Sequence, residues 1–288
     1  MKLGRYYIDL NRRLGEDFSE YQFDDAGIPL TRFHKKPNWK HNPITVCQYG
    51  LHHYNRYLGD QNEESREIFL TQANWLVTHA EEIAGGAIVW KYQFDIPSHN
   101  ISAPWVSGMA QGQALSVLLR AYQLTNDKKY LNPVKGAWNI LHLPVSDGGV
   151  ISYFPDGKPM IEEYPSPDHF VGVLNGFIFA IFGIYDYAIY TDEKSDYQFC
   201  SQFIDSLMSN LHRYDCGFWS YYDLKRPLRI ASKPYHRIHI EQLDQLYQIT
   251  NQDVFRLFRD RWKAYLSSVN SNLKWIIRKI HQKAFIQL

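Results

Sequence analysis

Apolar residues recur along most of the chain with the period of an amphipathic helix. This pattern predicts helices at 44–58, 63–83, 105–124, 128–142, 174–190, 194–212, 236–250 and 252–267. The connection within a successive pair is short and polar, as in Thr125-Asn126-Asp127. The connections between pairs are long and cover residues 84–104, 143–173 and 213–235. The pattern therefore predicts four antiparallel helix pairs joined by three long loops.

One short sequence feature, a Tyr followed by a polar turn and a new helix, occurs four times. The tyrosines are Tyr57, Tyr122, Tyr187 and Tyr247, at intervals of 65, 65 and 60 residues. Each interval is long enough for one helix pair and one return loop. A fixed period of this length is typical of a repeat architecture in which each unit packs against its neighbours.

The long loops share a second pattern, in which a Gly precedes alternating aromatic residues. It covers residues 86–92, 149–154 and 217–222 and predicts a short strand or hairpin in each loop. Helix pairs with short turns at one end and aromatic loops at the other predict an all-α fold. The architecture we expect is an incomplete α/α barrel, or toroid, of about four helix pairs with short aromatic β-hairpins on one rim. An open α-solenoid that binds protein is the alternative, and the aromatic hairpins argue against it.

The two ends of the chain fall outside the repeats. Residues 1–42 are mixed and rich in Arg, Lys, Asp and Pro, and they predict an irregular leader over the surface of a catalytic toroid at 43–268. Residues 269–288 form a basic amphipathic C-terminal segment. Such a segment packs on its own domain, packs on a twin subunit in a homodimer, or makes a peripheral contact with an anionic membrane surface. All three alternatives remain open.

Composition narrows the classes of function. Hydrophobic residues make 45% of the chain and aromatic residues 16%, including 21 Tyr, which suits a sugar-binding cleft as well as a core. The net charge of +1 argues against a nucleic-acid partner. The three cysteines lie too far apart to indicate a disulfide framework or a zinc site. The N-terminus lacks the pattern of a signal peptide, and no run of about 18 apolar residues occurs, so we expect a cytoplasmic protein, with a membrane-peripheral one as the alternative.

Two adjacent carboxylates in the second long loop are candidates for acid–base chemistry. Glu162 and Glu163 precede Tyr164 and Pro165, and proline holds the backbone before it extended, which gives the side chains a fixed direction. Partial burial there raises the pKa of a carboxyl and makes it a usable base. The alternative is that either Glu caps a helix or pairs with a neighbouring charge.

The third long loop offers a tyrosine and two cations. Tyr221 and Tyr222 are adjacent, so only one of them faces a cleft if the segment is extended. Lys225 and Arg226 follow and can hold a carboxylate, with Arg better suited to a bidentate contact. A solvated basic loop is the alternative.

The start of the last helix pair carries a polar stripe. Pro234 predicts a helix start, which puts Tyr235 in the first turn, where the positive end of the helix dipole favours a phenolate. His239 and Gln242 lie on the same face as Tyr235. His236 and His239 lack a third ligand, so no metal site is predicted.

The helix predicted at 105–124 begins with alternating small and polar residues. Its small residues favour close packing, and they are Gly108, Ala110, Gly112 and Ala114. Gln111 and Gln113 are less easily explained by packing, and we expect one of them to bind sugar hydroxyls.

These sequences resemble the catalytic domain of the D-glucuronyl C5-epimerases, which act on heparosan and related polymers. The resemblance runs from about Asn42 to Leu266 and rests on six segments in the same order. The segments are Gln48-Tyr49-Gly50-Leu51 with His53-Tyr54; Met109-Ala-Gln-Gly-Gln113-Ala with Arg120-Ala-Tyr; Glu162-Glu-Tyr-Pro165; Leu174-Asn-Gly-Phe177 with Gly183-Ile-Tyr-Asp186; Tyr222-Asp-Leu224; and Tyr235-His-x-x-His-Ile-x-Gln-Leu243.

The resemblance implies a reaction and roles for particular residues. It implies an isomerase that inverts C5 of D-glucuronate to L-iduronate in a heparosan-like anionic polysaccharide, as in glycosaminoglycan biosynthesis, without a cofactor. Glu163 and Tyr235 correspond to the proton-transferring pair, and Tyr222 with a following Arg holds the uronate. The family Arg directly follows the Leu, where this chain has Lys225 and then Arg226. The other residues expected to contact the sugar are Tyr164, Asn175, His239, Gln111, Gln113, Trp90, Tyr92 and Tyr49.

Three other functions fit the same sequence. A uronate polysaccharide lyase makes the same C5 carbanion and then expels the 4-O-linked sugar. An α/α-toroid glycoside hydrolase needs two carboxylates, and Glu163 with Asp95 or Asp223 is the pair to consider. A non-catalytic carbohydrate-binding toroid keeps the aromatic rim but performs no chemistry.

Overall fold

The computed structural model describes residues 2–10, 21–32 and 39–286, the last four of them by their backbone alone. Its helices are α1 (Pro43–Asp60), α2 (Glu63–Thr78), α3 (Gly108–Thr125), α4 (Val134–Ile140), α5 (Leu174–Thr191), α6 (Lys194–Asn210), α7 (Lys233–Thr250), α8 (Asp253–Ser267) and α9 (Val269–Ile286). Its strands are β1 (Gln22–Phe23), β2 (Pro29–Arg32), β3 (Trp39–His41), β4 (Glu81–Ile83), β5 (Ala87–Val89), β6 (Ile151–Tyr153) and β7 (Pro159–Ile161). Each of the eight predicted helical ranges contains a helix.

The helices form two layers. Helices α1, α3, α5 and α7 pack side by side in chain order, and α2, α4, α6 and α8 each pack against the helix that precedes them. Helices α3 and α5 are buried over most of their length, as expected for an inner layer. A Cβ atom on Gly112 would lie 2.6 Å from the Cα of Ala180, so these two inner helices approach closely. The fold is the predicted incomplete α/α toroid of four helix pairs.

The tyrosine repeat marks the C-terminal ends of the inner helices. The residue after each helix is left-handed, with φ of 56° at Gln61, 58° at Asn126, 57° at Asp192 and 54° at Asn251. Asn and Asp tolerate this conformation better than most residues. The N–H of the left-handed residue donates to the carbonyl of the repeat tyrosine in three cases and to its neighbour Ala188 in the third repeat. The repeat is therefore a helix-ending turn used four times.

The expectation of a surface leader is wrong for residues 3–10. Leu3, Tyr6, Ile8 and Leu10 are at most 5% exposed. Backbone N–H groups of Leu3 and Tyr6 each donate over 2.7 Å, to Gln123 in α3 and to Asn55 in α1. This segment fills the centre of the ring where the inner helices end, because an incomplete barrel leaves apolar surface there to be covered.

A buried ion pair joins α3 and α5 next to residues 3–10. Its two residues stand in segments that resemble the C5-epimerases. The Arg120 guanidinium in α3 donates to both carboxylate oxygens of Asp186 in α5, and the two side chains are 1% and 0% exposed. The Tyr7 hydroxyl donates to the same carboxylate over 2.7 Å. These residues thus hold the ring together rather than face a ligand.

The long loops differ from the prediction in detail. The helix expected at 63–83 ends at Thr78, and Glu81–Ile83 pairs with Ala87–Val89 as an antiparallel hairpin. The second loop carries the hairpin of β6 and β7. In the third loop only isolated bridges form, between Asp215 and Ser220 and between Tyr221 and Ile230. The helix expected at 128–142 is reduced to a 3-10 turn and α4, since Pro133 interrupts it.

The N-terminal part also contains a three-stranded antiparallel sheet in the order β1, β2, β3. Leu30 pairs with Gln22 on one side and with His41 on the other. Helix α9 is the predicted amphipathic segment. None of the helices in the described ranges combines the length and apolarity needed to span a bilayer.

Candidate active site

The inner helices begin at the rim that carries the long loops, and a cavity of about 320 Å³ opens there. Three inner helices contribute to its lining: α1 with Asn42, Ile44, Thr45 and Gln48, α3 with Met109, and α7 with Pro234, Tyr235 and Ile238. The other lining residues are Tyr21, Thr31, Glu163 and Tyr164. The positive ends of several helix dipoles thus face one space, which favours an anionic ligand.

The two adjacent glutamates have different environments. Glu162 is 1% exposed, and its carboxyl accepts hydrogen bonds from the backbone N–H groups of Val171 and Gly172 at 3.0–3.2 Å. Burial raises the pKa of Glu162 to about 8, against the lowering effect of these N–H donors. Glu162 therefore holds the loop that leads into α5, and it does not line the cavity.

Glu163 lines the cavity and lies against the first turn of α5. Glu163 is 5% exposed. A Cβ atom on Gly176 would overlap the Glu163 carboxylate and lie 2.7 Å from the Glu163 Cβ, so only glycine leaves room for this approach. The positive end of the α5 dipole stabilises a carboxylate at this place. Asn175 lies in the same turn, is 1% exposed, and its side-chain oxygen has no hydrogen-bond partner among the described residues.

Three tyrosines surround this carboxylate. The rings of Tyr222 and Tyr235 meet edge to face with their centroids 4.8 Å apart. Burial raises the pKa of Tyr222 well above its ordinary value, and the charges of Glu163, Tyr164 and Tyr235 act in the same direction. Burial and the Glu163 charge also raise the pKa of Tyr164. Tyr164 and Tyr222 are therefore neutral hydroxyl donors at neutral pH.

A guanidinium close to Tyr222 belongs to Arg229, which the sequence did not single out. Its Cζ lies 5.4 Å from the centroid of the Tyr222 ring, and its Nε donates to Asp223 Oδ2 over 2.8 Å. The Arg229 carbonyl accepts from the Tyr222 N–H over 2.7 Å, so the two residues face each other across a short antiparallel pairing. No sequence signal marks this register, because it depends on where the chain turns between them.

Lys225 and Arg226 lie elsewhere. The Lys225 ammonium donates to the Ser98 carbonyl over 2.9 Å. Arg226 is exposed, and its charge acts on Tyr221, the tyrosine on the opposite side of the strand from Tyr222. The structure therefore does not bring these two cations to the cavity.

The two histidines of α7 are buried in a polar cluster of their own. Ser220 Oγ lies 2.7 Å from His236 Nδ1 and 2.9 Å from His239 Nδ1, and His236 Nε2 lies 3.1 Å from the Trp262 carbonyl. Burial lowers the pKa of His236 to about 4 and that of His239 well below its ordinary value. His239 is 0% exposed and is not among the residues that line the cavity. Within the described residues, no group of three or more His, Cys, Asp or Glu side chains is arranged to hold a metal ion.

The remaining predicted sugar contacts lie outside the cavity lining. Gln111 and Gln113 are both 0% exposed, and Gln113 accepts from Gln48 over 3.4 Å, directly behind the cavity wall. Trp90 donates to the Leu76 carbonyl from the core. The Tyr92 hydroxyl accepts from the Ile44 N–H at the start of α1, and Tyr49 packs on Phe23 and His53. Of the predicted site residues, the structure brings Glu163, Tyr164, Asn175, Tyr222 and Tyr235 together.

The cavity is lined by the carboxylate of Glu163 and by the phenols of Tyr21, Tyr164 and Tyr235, and Tyr222 with the Arg229 guanidinium lies next to Tyr235. Such a set can remove a proton from carbon, return one, and stabilise a negatively charged intermediate. Among the described lining residues, Glu163 is the only carboxylate. Asp95 is exposed and accepts from the Ala103 N–H, and Asp223 is paired with Arg229, so neither provides the second carboxylate of a hydrolase at this cavity.

Comparison with known sequences points to one family. The family model described as the D-glucuronyl C5-epimerase C-terminus matches residues 84–264. The uncharacterized protein MJ1128 of Methanocaldococcus jannaschii is 31% identical over 202 residues, which cover 68% of this chain and 64% of that protein. The D-glucuronyl C5-epimerase of Caenorhabditis elegans is 31% identical over 225 residues, which cover 71% of this chain and 36% of that enzyme. The chain thus spans less than two thirds of the length of either relative.

Comparison with solved structures agrees on the fold. The cellobiose 2-epimerase of Bacillus thermoamylovorans superposes with a TM-score of 0.61 over 86% of this chain and 66% of that chain, at 13% sequence identity. At this level of identity the similarity establishes the architecture alone.

Proposed function

Because the chain belongs to the D-glucuronyl C5-epimerase family, we propose that it is a carbohydrate epimerase that inverts C5 of D-glucuronate to L-iduronate in a heparosan-like polysaccharide. The observation that carries the proposal is the convergence of Glu163 and Tyr235 on one cavity. The two residues come from different elements, the second long loop and the start of α7.

The reaction requires help at the carboxylate of the sugar as well as at C5. The C5 proton of a glucuronate lies α to a carboxylate and is only weakly acidic. Its removal moves the C–H electron pair into the carboxylate, which becomes an enolate with an additional negative charge. Cationic and hydroxyl groups at that carboxylate therefore lower the barrier.

In the proposed mechanism the Glu163 carboxylate takes the C5 proton from one face of the sugar. The Tyr235 hydroxyl then gives a proton to C5 from the opposite face, which inverts the centre. Glu163 loses its proton to solvent and Tyr235 regains one from solvent, so that the enzyme returns to its starting state. Solvent deuterium therefore enters C5 as inversion proceeds.

Arg229 and Tyr222 are assigned to the sugar carboxylate. Arg229 is held by Asp223, which fixes the direction of its guanidinium, and Tyr222 presents a hydroxyl with a raised pKa that stays protonated. The resemblance to the C5-epimerases implies that a cation after the Tyr222 segment holds the uronate. In this proposal Arg229 has that role, in place of Lys225 or Arg226.

The test is solvent exchange at C5 of unsulfated heparosan in deuterium oxide, followed by NMR. We expect the intact chain to introduce deuterium and to form iduronate. We expect Glu163→Gln to abolish exchange and Tyr235→Phe to abolish the formation of iduronate, each with the fold intact. Matched controls are Tyr221→Phe, the neighbour of Tyr222 on the opposite side, and Glu193→Gln, an exposed glutamate that caps nothing with its side chain.

Several outcomes would overturn the proposal. Full deuterium exchange in Glu163→Gln, together with full iduronate formation in Tyr235→Phe, would show that these two residues do not transfer the protons. A rise in ultraviolet absorbance from an unsaturated uronate identifies a lyase, and shortening of the polymer without such absorbance identifies a hydrolase. Polymer binding without exchange identifies a non-catalytic carbohydrate-binding protein.

A further inference from the structure

One face of α9 is held against the rest of the domain. The Trp275 indole N–H donates to the Ala231 carbonyl over 3.0 Å, and the Lys279 ammonium donates to the Ile230 carbonyl over 2.7 Å. Ser271 is 7% exposed. The three side chains are four residues apart in sequence and so share one side of the helix. These contacts set the rotation of α9 about its own axis.

The opposite face of α9 is apolar and exposed. Five aliphatic side chains lie there at the spacing i, i+4, i+7, i+8 and i+11, within a sector of about 100°. They are Val269 (77% exposed), Leu273 (55%), Ile276 (45%), Ile277 (57%) and Ile280 (64%). A continuous stripe of this length is unusual on a free surface and indicates a contact with another apolar phase.

The charge around the stripe has one sign. Residues 269–288 contain Lys274, Arg278, Lys279 and Lys283 and no acidic residue. The whole chain has a net charge of only +1, so this segment is strongly basic against the rest of the molecule. Lys274 is exposed and borders the stripe, whereas Arg278 is exposed but lies nearer the face of α9 that contacts the domain.

We propose that α9 docks on an anionic lipid surface, with its axis in the plane of the membrane and the stripe in the acyl boundary. An in-plane helix gains from both buried apolar area and the attraction of its cations to acidic headgroups. Helix α9 offers the apolar stripe on its outer side, with the exposed Lys274 at the edge of the stripe. The inference stands on α9 alone and does not rest on the proposed reaction.

The same charges make a second copy of this chain a less favourable partner for the stripe than a lipid surface. Two α9 stripes packed against each other about a two-fold axis bring two basic segments together, with Lys274 at the edge of each stripe. No acidic side chain of the segment is there to offset the repulsion. A lipid surface supplies the missing negative charge.

Docking also has a geometric consequence for the candidate site. On the side that faces the domain, Trp275 and Lys279 of α9 donate side-chain hydrogen bonds to the carbonyls of Ala231 and Ile230. These residues directly follow Arg229. A membrane contact through α9 therefore puts the loop that carries Arg229 one helix diameter from the lipid surface.

The test uses the full chain with vesicles of phosphatidylcholine alone and of phosphatidylcholine with phosphatidylglycerol, separated by sedimentation. We expect binding to the anionic vesicles only, and a decrease as the salt concentration rises. Leu273→Ser and Ile280→Ser are each expected to weaken binding more than tenfold, and Lys274→Gln, at the edge of the stripe, roughly fivefold. Arg278→Gln is expected to have a smaller effect, because Arg278 lies farther from the stripe. Leu257→Ser is the matched control, because Leu257 is 58% exposed but lies on α8.

Three results would overturn the inference. The first is no binding to anionic vesicles at low salt. The second is binding that Leu257→Ser weakens as much as Leu273→Ser does. The third is a concentration-dependent dimer, seen by light scattering after gel filtration, that Ile280→Ser abolishes while vesicle binding is absent, since that result assigns the stripe to a second copy. Circular dichroism of each variant establishes that the fold is retained.

Discussion

The Glu163 carboxylate occupies the space that a side chain at Gly176 would need. A Cβ atom on Gly176 would lie 2.7 Å from the Glu163 Cβ and 3.0 Å from its Cδ. Gly176 is in the first turn of α5, so its missing side chain allows the carboxylate to reach the positive end of that helix. The relationship ties the position of the proposed base to the identity of one neighbouring glycine.

Gly176→Ala tests this relationship. The added methyl group displaces the Glu163 side chain, and a misplacement of about 1 Å reduces a rate roughly 100-fold, so we expect C5 deuterium exchange to fall by that order. Helix propensity alone favours Ala over Gly by up to about 1 kcal/mol, so a loss cannot come from the helix itself.

Gly59→Ala is the control for the glycine substitution. Gly59 is also helical, near the end of α1, and its added Cβ would meet only the Arg5 side chain, at 3.6 Å. We expect unchanged exchange and an equal or slightly higher melting temperature. Equal exchange in Gly176→Ala and in the original chain would contradict the assigned position of Glu163.

Arg229→Gln tests the cation assigned to the sugar carboxylate. Removing a group that stabilises the developing enolate is expected to slow C5 exchange roughly 100-fold or more. Lys225→Gln and Arg226→Gln are the matched controls, and we expect each to exchange at nearly the original rate, because neither side chain reaches the tyrosine cluster.

Loss of stability is a separate effect of Arg229→Gln, since it leaves Asp223 buried without its partner. The double variant Arg229→Gln/Asp223→Asn removes that unpaired charge. We expect it to melt nearer the original chain while exchange stays low. Recovery of exchange in the double variant, or a larger loss in Lys225→Gln, would show that Arg229 has no part in the reaction.

The buried histidine cluster predicts a pH dependence of stability. The pKa of His236 is about 4 in the folded protein, against about 6.5 in an unfolded chain. Below pH 6.5 the unfolded chain binds a proton that the folded one does not. The stability associated with neutral His236 is therefore fully present above about pH 6.5 and is lost as the pH falls towards 4, by up to about 1.4 kcal/mol per pH unit.

Urea unfolding at several pH values measures this dependence. We expect His236→Gln to be less stable at neutral pH, since the contacts with Ser220 and Trp262 are lost, but to show a shallower decline between about pH 6.5 and pH 4. His212→Gln, at an exposed position, is expected to keep the original slope. An unchanged slope in His236→Gln would mean that other groups carry the acid sensitivity.

Much of the scaffold was predictable from local patterns. The apolar period located every helix pair, and the predicted start and end of α5 (174–190) agree with Leu174–Thr191 within one residue. The polar turns after the repeat tyrosines identified where the inner helices end, because Asn or Asp, which tolerate a left-handed backbone, occupies three of the four positions. Where the prediction failed, as at 63–83, a short hairpin replaced the last helical turn, and hairpin pairing depends on a partner strand rather than on the local sequence.

The candidate site was predictable in part. Glu163, Tyr222 and Tyr235 stand in sequence segments that resemble a known family, and the structure brings them to one rim. Gln111 and His239 have the right residue types but are fully buried, and no local pattern distinguishes a polar side chain that faces a ligand from one that satisfies a neighbour inside the core.

The sequence by itself determined the helix pairs, their period and the loops that carry the chemistry, since these follow from local periodicity and turn residues. Only the tertiary structure decided that residues 3–10 fill the centre of the ring, that Arg229 rather than Lys225 or Arg226 faces Tyr222, and that α9 leaves an apolar stripe exposed. The first feature depends on contacts between residues far apart in the chain, the second on the register of the turn between Tyr222 and Arg229, and the third on which face of α9 packs against the domain. Local periodicity predicts none of them, because each is set by pairing and burial in the folded protein.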